Sequence, residues 1–71
     1  MSDFGIQKGS IVEFDSQIGI GSIKTDKDEI LFFHIRTVLA KQENIQPGIK
    51  AVFEVIPGRQ GRLEAQSIHL L

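Results

Sequence analysis

Apolar residues alternate with polar ones in several short runs of this chain, and turn-forming residues separate the runs. Alternation with a period of two is typical of β-strands, while Gly, Pro, Asp, Ser and Asn favour the turns between them. The pattern therefore predicts an antiparallel all-β domain. The five predicted strands are about Lys8 to Phe14, Ile18 to Lys24, Glu29 to Ile35, Ile49 to Ile56 and Arg62 to Leu70.

Alternation also divides the strand residues between two faces of the sheet. The set that we predict as the core is Ile11, Ile23, Leu31, Phe33, Ala51, Phe53, Val55 and Ile68. The set on the other face is Ile18, Ile20, Ser22, Ile30, Phe32, His34, Val52, Glu54 and Ile56. A closed or nearly closed five-stranded barrel would satisfy its own edges and fill its interior with the first set. The second set is too apolar for a face that meets only water, so it predicts a contact surface.

Glu13 departs from this scheme. Strict alternation from Ile11 would send its side chain into the core, where an unpaired carboxylate costs several kcal/mol or takes up a proton. A β-bulge near Val12 to Phe14 would turn the carboxylate outward instead. The sequence leaves these outcomes open.

Length and composition limit the class of protein. The chain has 71 residues, of which 41% are hydrophobic and 24% charged, and this suits one small folded domain. We expect residues 8–71 to form that domain and residues 1–7 to be an N-terminal extension, whose order the sequence leaves open. The absence of cysteine excludes disulfides and thiolate metal sites and fits a reducing cytoplasm. No apolar run approaches the roughly 20 residues that cross a bilayer, so we expect neither export nor membrane insertion.

Charged and metal-ligating residues offer few other functions. The formal net charge of −1 gives no overall cationic field, so phosphate binding would need a local patch. Asp26, Asp28 and Glu29 lack the glycine and the distal glutamate of a calcium loop, and a solvated hairpin turn is the simpler interpretation. His34 and His69 lack the spacing of a zinc site. No nucleophile motif stands out, so we expect no metal, no cofactor and no enzymatic activity.

Phe32 and His34 give the strongest functional signal. They share the outer face of the third predicted strand, beside a second strand in which Gly19 and Gly21 alternate with larger residues. Exposed rings on a small sheet can stack on unpaired bases. Taken singly, Phe32 could be a packing residue, His34 a surface histidine, and the glycines a means of curving the strand.

The spacing of these residues continues over most of the chain. From Gly9 to Leu39 the pattern runs without a gap, at Gly9, Ile11, Phe14, Gly19, Gly21, Ile23, Phe32 and His34. Further matches are Pro47-Gly48, Phe53-Glu54-Val55, Gly58 and Ala65 to Ile68. This pattern resembles the bacterial cold-shock proteins. The resemblance implies an all-β, five-stranded antiparallel barrel of the oligonucleotide-binding (OB) type, which binds single strands and melts weak RNA structure by trapping open strands.

Several ligand-facing positions of that family differ here. The replacements are Glu13 for a tryptophan, Ile20 and Ser22 for two phenylalanines, Ile35 for another aromatic residue, and Val12 and Ile18 for two lysines. Each base stacked on a ring is worth about 1 to 3 kcal/mol, so losing four rings predicts a loss of ~4 kcal/mol or more, roughly a thousandfold in affinity. We expect micromolar or weaker binding that depends strongly on salt and little on base identity.

The sequence therefore predicts weak, non-catalytic binding of single-stranded RNA or DNA with low sequence specificity. Phe32 and His34 are the predicted stacking residues. The other predicted contacts are Phe14, Ile20 and Ile35 for apolar surface and Lys8, Lys24 and Arg36 for phosphates.

A second hypothesis uses the same outer face for a different ligand. Its aliphatic residues Ile18, Ile20, Val52 and Ile56 could contact a protein partner or form the seam of a weak homodimer. The sequence leaves both hypotheses open and favours nucleic acid.

Overall fold

A computed structural model describes residues 5–71 of the chain, and the side chain of Arg59 lies outside that description. The strands are β1 (Gly5–Asp15), β2 (Ile20–Thr25), β3 (Ile30–His34), β4 (Lys50–Pro57) and β5 (Leu63–Leu70). Short 3-10 helices cover Ile35–Thr37, Gln42–Asn44 and Arg59–Gly61. The five predicted strands are confirmed, with ends that differ by up to three residues.

The strands close into a barrel in the order β1-β2-β3-β5-β4. Four neighbouring pairs are antiparallel, and the pair of β3 with β5 is parallel. Strand directions cannot alternate all the way around a ring of five, so one neighbouring pair has to be parallel. The predicted five-stranded barrel is thus confirmed, with a parallel pair at its closure.

The barrel interior holds the predicted core. All eight predicted core residues are buried, each at 3% exposure or less. Val38, Ile45 and Ala65 complete the buried cluster. Val38 and Ile45 belong to the connection between β3 and β4, where an irregular backbone offers no alternation from which burial could be predicted.

β1 contains a bulge of the kind that would turn Glu13 outward. The register with β2 shifts after Ile11, which pairs with Ile23, so that Glu13 pairs with Ser22. Val12 is the extra residue, and both its side chain and that of Glu13 are exposed. The bulge therefore keeps an unpaired carboxylate out of the core.

Gly21 allows aromatic rings to pack closely against β2. A Cβ at this position would overlap the buried ring of Phe33 and the carbonyl oxygen of Glu13. The Phe33 ring in turn stacks on Phe14, with centroids 6.0 Å apart and planes inclined by 9°. The absence of a side chain at Gly21 is thus a requirement of packing.

Ile18 and Ile35 are among the residues that were predicted within strands and lie outside them. Ile18 belongs to the turn between β1 and β2, which Gly19 closes with a φ of 73° and an N–H that donates to the carbonyl oxygen of Asp15 at 2.8 Å. Ile35 begins the 3-10 helix that follows β3. At Ile18 the turn bond from Gly19 to Asp15 interrupts the pairing of strands, and at Ile35 the bond from the Val38 N–H to the Ile35 carbonyl oxygen does so. The apolar pattern continues past both points.

The N-terminal part of β1 pairs with β4, from Gly5 opposite Val55 to Ser10 opposite Lys50. Residues 5–7 of the predicted extension therefore lie in β1, and residues 1–4 lie outside the described residues. Within residues 5–71, no helix combines the length and the apolar character that crossing a membrane requires.

Replacing Ile23 with valine should lower the free energy of unfolding by about 1 kcal/mol, because the lost methyl group leaves a cavity in the core. Ile30→Val is the matched control on the adjacent strand. Ile30 is 51% exposed, and its replacement should change the free energy of unfolding by no more than about 0.5 kcal/mol. Urea denaturation measures both values. Equal losses in the two variants would contradict the placement of Ile23 inside the barrel.

Candidate nucleic-acid interface

The outer side chains of β2 and β3 form one surface, which we call the β2–β3 face. Its members are Ile20, Ser22, Lys24, Ile30, Phe32 and His34. Ile20 lies directly opposite His34, and Ser22 lies opposite Phe32. Phe32 is 46% exposed and Ile20 is 44% exposed. The alternation of β3 thus directs Phe32 and His34 to the same side, toward solvent.

Ser22 was predicted on this outer face, but its side chain is only 4% exposed. Its register partners are Glu13 on one side and Phe32 on the other, and both have much larger side chains. The small hydroxymethyl group is therefore covered from both sides. Ser22 shapes the base of the face and offers little surface to a ligand.

Three adjoining clefts run along this side of the barrel. The β5 cleft, of about 420 Å³, is lined by Ile20, Phe32, Gln60, Arg62 and Glu64. The turn cleft, of about 640 Å³, is lined by Glu13 to Ile18 together with Ile20, Gly21 and Phe32. The loop cleft, of about 630 Å³, is lined by Phe14, Ser16, Lys41, Gln42, Glu43 and Ile45. Neighbouring clefts share lining residues, so the three form a continuous track with Phe32 between the first two.

The imidazole of His34 is held by the backbone that follows it. Its Nδ1 accepts a hydrogen bond from the N–H of Arg36 at 3.1 Å, and Thr37 Oγ1 donates to the His34 carbonyl oxygen at 2.7 Å. His34 is therefore the N-cap of the 3-10 helix Ile35–Thr37. Nδ1 acts as an acceptor, which leaves the ring proton on Nε2 in the neutral form. Nε2 points toward the turn, 3.7 Å from the position of a Cβ built at Gly19.

Phe14 and Ile35, both predicted to add apolar contact, are half-buried and pack against the core. One face of the Phe14 ring is occupied by Phe33, and the remainder of the side chain lines the turn and loop clefts. Ile35 packs beside the turn, where its Cγ2 lies 3.0 Å from a Cβ built at Gly19. Both residues therefore support the track more than they form its surface.

Of the three predicted phosphate contacts, Lys24 belongs to the β2–β3 face, and none lines the three clefts described above. Lys24 Nζ pairs with Asp28 Oδ1 at 3.3 Å, an exposed ion pair of the kind that contributes little to stability. Lys8 lies on β1 opposite Val52 of β4. Arg36 is exposed in the 3-10 helix that His34 caps. All three side chains are accessible to solvent, but they are not gathered into one basic patch.

Arg62 is a site residue that the sequence analysis missed. Its Cζ lies above the Phe32 ring, 6.0 Å from the centroid, at the outer limit of a cation–π contact. Closure of the barrel makes Arg62 a neighbour of Phe32, because Phe32 pairs with Glu64 across the parallel β3–β5 pair. Alternation within a strand carries no information about which other strand lies beside it, so only the strand order reveals Arg62 and Glu64.

Acidic side chains also line the track. Glu13 and Asp15 lie on the β1 side of the turn cleft, Glu64 lines the β5 cleft, and Glu43 lines the loop cleft. Carboxylates that line a cleft repel phosphate groups that enter it, unless salt screens the charges. Among residues 5–71, no three His, Cys, Asp or Glu side chains come together in an arrangement that could hold a metal ion.

The aliphatic residues of the self-association hypothesis do not form one surface. Ile18 and Ile20 lie beside the turn cleft, whereas Val52 and Ile56 are half-buried on β4. In the barrel order, β2 and β4 are separated by β1. The predicted single aliphatic seam is therefore divided between two sides of the barrel.

A closed five-stranded barrel with a solvent-exposed ring on its β2–β3 face belongs to the OB-fold class. The solved structure drosophila Unr CSD456 is similar to this chain, with a TM-score of 0.75 and 28% sequence identity. The similarity covers 93% of this chain and 26% of that chain, so this chain spans about a quarter of its length. The chain is therefore similar to a cold-shock domain, which confirms the resemblance predicted from its sequence. No family model matches the chain, and no curated protein matches its sequence.

Replacing His34 with alanine should remove the acceptor for the Arg36 N–H, whereas His34→Asn keeps a short side-chain acceptor at the N-cap. We expect the Arg36 amide to exchange with solvent about fivefold faster in the alanine variant, as for the loss of one hydrogen bond. The asparagine variant should exchange at nearly the rate of the unaltered protein. Amide exchange followed by NMR measures these rates. An unchanged rate in His34→Ala would show that Nδ1 is not the acceptor.

Proposed function

We propose that this chain is a cold-shock domain that binds single-stranded nucleic acid, RNA or DNA, and performs no catalysis. The observation that carries the proposal is the exposed Phe32 ring at the junction of the β5 and turn clefts. OB-folds and cold-shock domains bind unpaired strands by stacking splayed bases on exposed rings. The track on this barrel supplies a ring, a groove on either side of it, and an imidazole two residues away.

Phe32 is the main stacking platform in this proposal, and His34 is the second. The two side chains lie on one face of β3, about 6.6 Å apart along the strand, since each residue advances a strand by about 3.3 Å. The His34 ring is already fixed by its hydrogen bond with the Arg36 N–H, so stacking on it costs little conformational entropy. Ile20, opposite His34, supplies flat apolar surface between them and the turn.

The proposed affinity is micromolar or weaker. Among residues 5–71, Phe32 is the one exposed phenylalanine of the track, because the Phe14 ring is partly covered by Phe33. Glu13 and Asp15 line the turn cleft and oppose the approach of phosphates. Lys8, Lys24 and Arg36 offset this repulsion from the surroundings of the face, and their contribution falls as salt rises. Stacking tolerates any base, so specificity along most of the track is low.

Nucleic acid suits this surface better than a second copy of the chain does. Charged side chains flank Phe32 on both sides, with Glu13 and Asp15 toward β1 and Arg62 and Glu64 toward β5. A homodimer through the face would have to pair or desolvate all of these charges. A single strand can stack on the ring without desolvating all of them, and its own polar groups can pair with those that it contacts.

Replacing Phe32 with alanine should weaken binding of an oligothymidine by about 1 kcal/mol or more, which is at least about fivefold, because a stacking platform is lost. Ile30→Ala is the matched control, since Ile30 is exposed on the same side of β3 and lines neither of the clefts beside Phe32. It should change the affinity by less than about twofold. Fluorescence anisotropy of a labelled oligomer at low salt measures each dissociation constant. Equal affinities of Phe32→Ala and the unaltered protein would remove Phe32 from the site.

A further inference from the structure

Two flat groups face each other across the β5 cleft. The guanidinium of Arg62 lies above the ring of Phe32, with Cζ 6.0 Å from the centroid. Ile20, Gln60 and Glu64 complete the lining of the same cleft. Aromatic rings and guanidinium planes are the two kinds of side chain on which unpaired bases stack. The cleft therefore has a stacking surface on each of two sides.

The spacing between these groups is close to what one base requires. Stacked bases lie about 3.4 Å apart, so a base with a flat group on each side needs about 6.8 Å between those groups. The separation of 6.0 Å in the free protein falls short of this by less than 1 Å. A long, exposed arginine side chain can move that far without a change in the barrel. In the absence of a base, the cation–π contact holds the guanidinium near the ring.

Glu64 supplies an acceptor at the edge of this slot. It lies directly opposite Phe32 in the β3–β5 pair and lines the cleft with Arg62. Its carboxylate extends over Gly58, where any Cβ would overlap it. An ionised carboxylate only accepts hydrogen bonds, and its two oxygens can take two adjacent donors. It therefore favours a base that offers a pair of N–H groups along one edge.

Guanine is the base with that edge. Its N1–H and its N2 amino group are neighbouring donors, whereas thymine and uracil have one ring N–H, and adenine and cytosine have one amino group beside an acceptor. We propose that the β5 cleft is a slot for a single guanine, stacked between Phe32 and Arg62 and bound at its N1–H and N2 amino group by Glu64. This proposal rests on the proposed function, and it adds one base-selective position to a track that is otherwise tolerant of sequence.

The test compares four labelled heptamers at low salt by fluorescence anisotropy. One is all thymidine, and the others carry guanine, 7-deazaguanine or hypoxanthine at the central position. We expect the guanine heptamer to bind about tenfold more tightly than the thymidine heptamer, as for a bidentate contact. The 7-deazaguanine heptamer should bind like guanine, because it keeps both donors. The hypoxanthine heptamer lacks the amino group and should lose most of the preference.

Two variants test whether Glu64 causes the preference for guanine. Glu64→Gln should reduce the ratio of thymidine to guanine dissociation constants to within about twofold of unity, because an amide cannot accept at both of its atoms. Glu54→Gln is the matched control, since Glu54 accepts a hydrogen bond from Gln66 on the β4–β5 pair and makes the same change of charge outside the cleft. It should leave the ratio unchanged. Using the ratio removes the general effect of charge on phosphate binding.

The outcomes separate this inference from the function on which it rests. Equal binding of the four heptamers would overturn the guanine slot and leave single-strand binding in place. A guanine preference that persists in Glu64→Gln would also overturn it. Failure of every heptamer to bind would overturn the proposed function itself, and the slot with it.

Discussion

The burial of Phe33 is the constraint on which the rest of the site depends. Its ring fills the space above Gly21 and stacks on Phe14, so β3 cannot shift its register by one residue without expelling a large ring from the core. Because alternate residues of a strand face opposite sides, the same packing directs Phe32 and His34 to solvent. A small domain would gain stability by burying a phenylalanine ring, but the packing of Phe33 keeps the Phe32 ring exposed.

Closure of the barrel determines what surrounds this ring. A ring of five strands must contain a parallel pair, and in this chain the pair joins β3 to β5. Arg62 and Glu64 come to the side of Phe32 as a result, while the bulge in β1 places Glu13 on the other side. The β1 side of the Phe32 ring thus carries negative charge, and the β5 side carries one positive and one negative group. The proposed function assigns base stacking to the centre of this surface, and the proposed base selection depends on the charged groups at its edge.

The sequence predicted what depends on local pattern. All eight residues that alternation predicted as core are buried. The cost of burying Glu13 indicated where a bulge could lie, and the register shift in the structure showed that it is there. Ser22 lies on the predicted face, but its burial was not predicted, because exposure depends on the size of the side chains across two strands. Arg62 was missed because its neighbour is set by the strand order of a closed ring, to which residues far apart in sequence contribute. Local patterns thus predicted the exposure of Phe32 and His34. The residues beside them could be identified only from the three-dimensional fold.

The most direct test of this account is an amide chemical-shift titration with a short oligothymidine and with a uridine-rich RNA at low salt. We expect shifts centred on Phe32, Ile20 and His34 that extend to Arg62 and fade as salt is added. Shifts centred on β4, at Val52 and Ile56, would contradict the account. So would an absence of shifts together with line broadening on the β2–β3 face that grows with protein concentration, since that result indicates self-association.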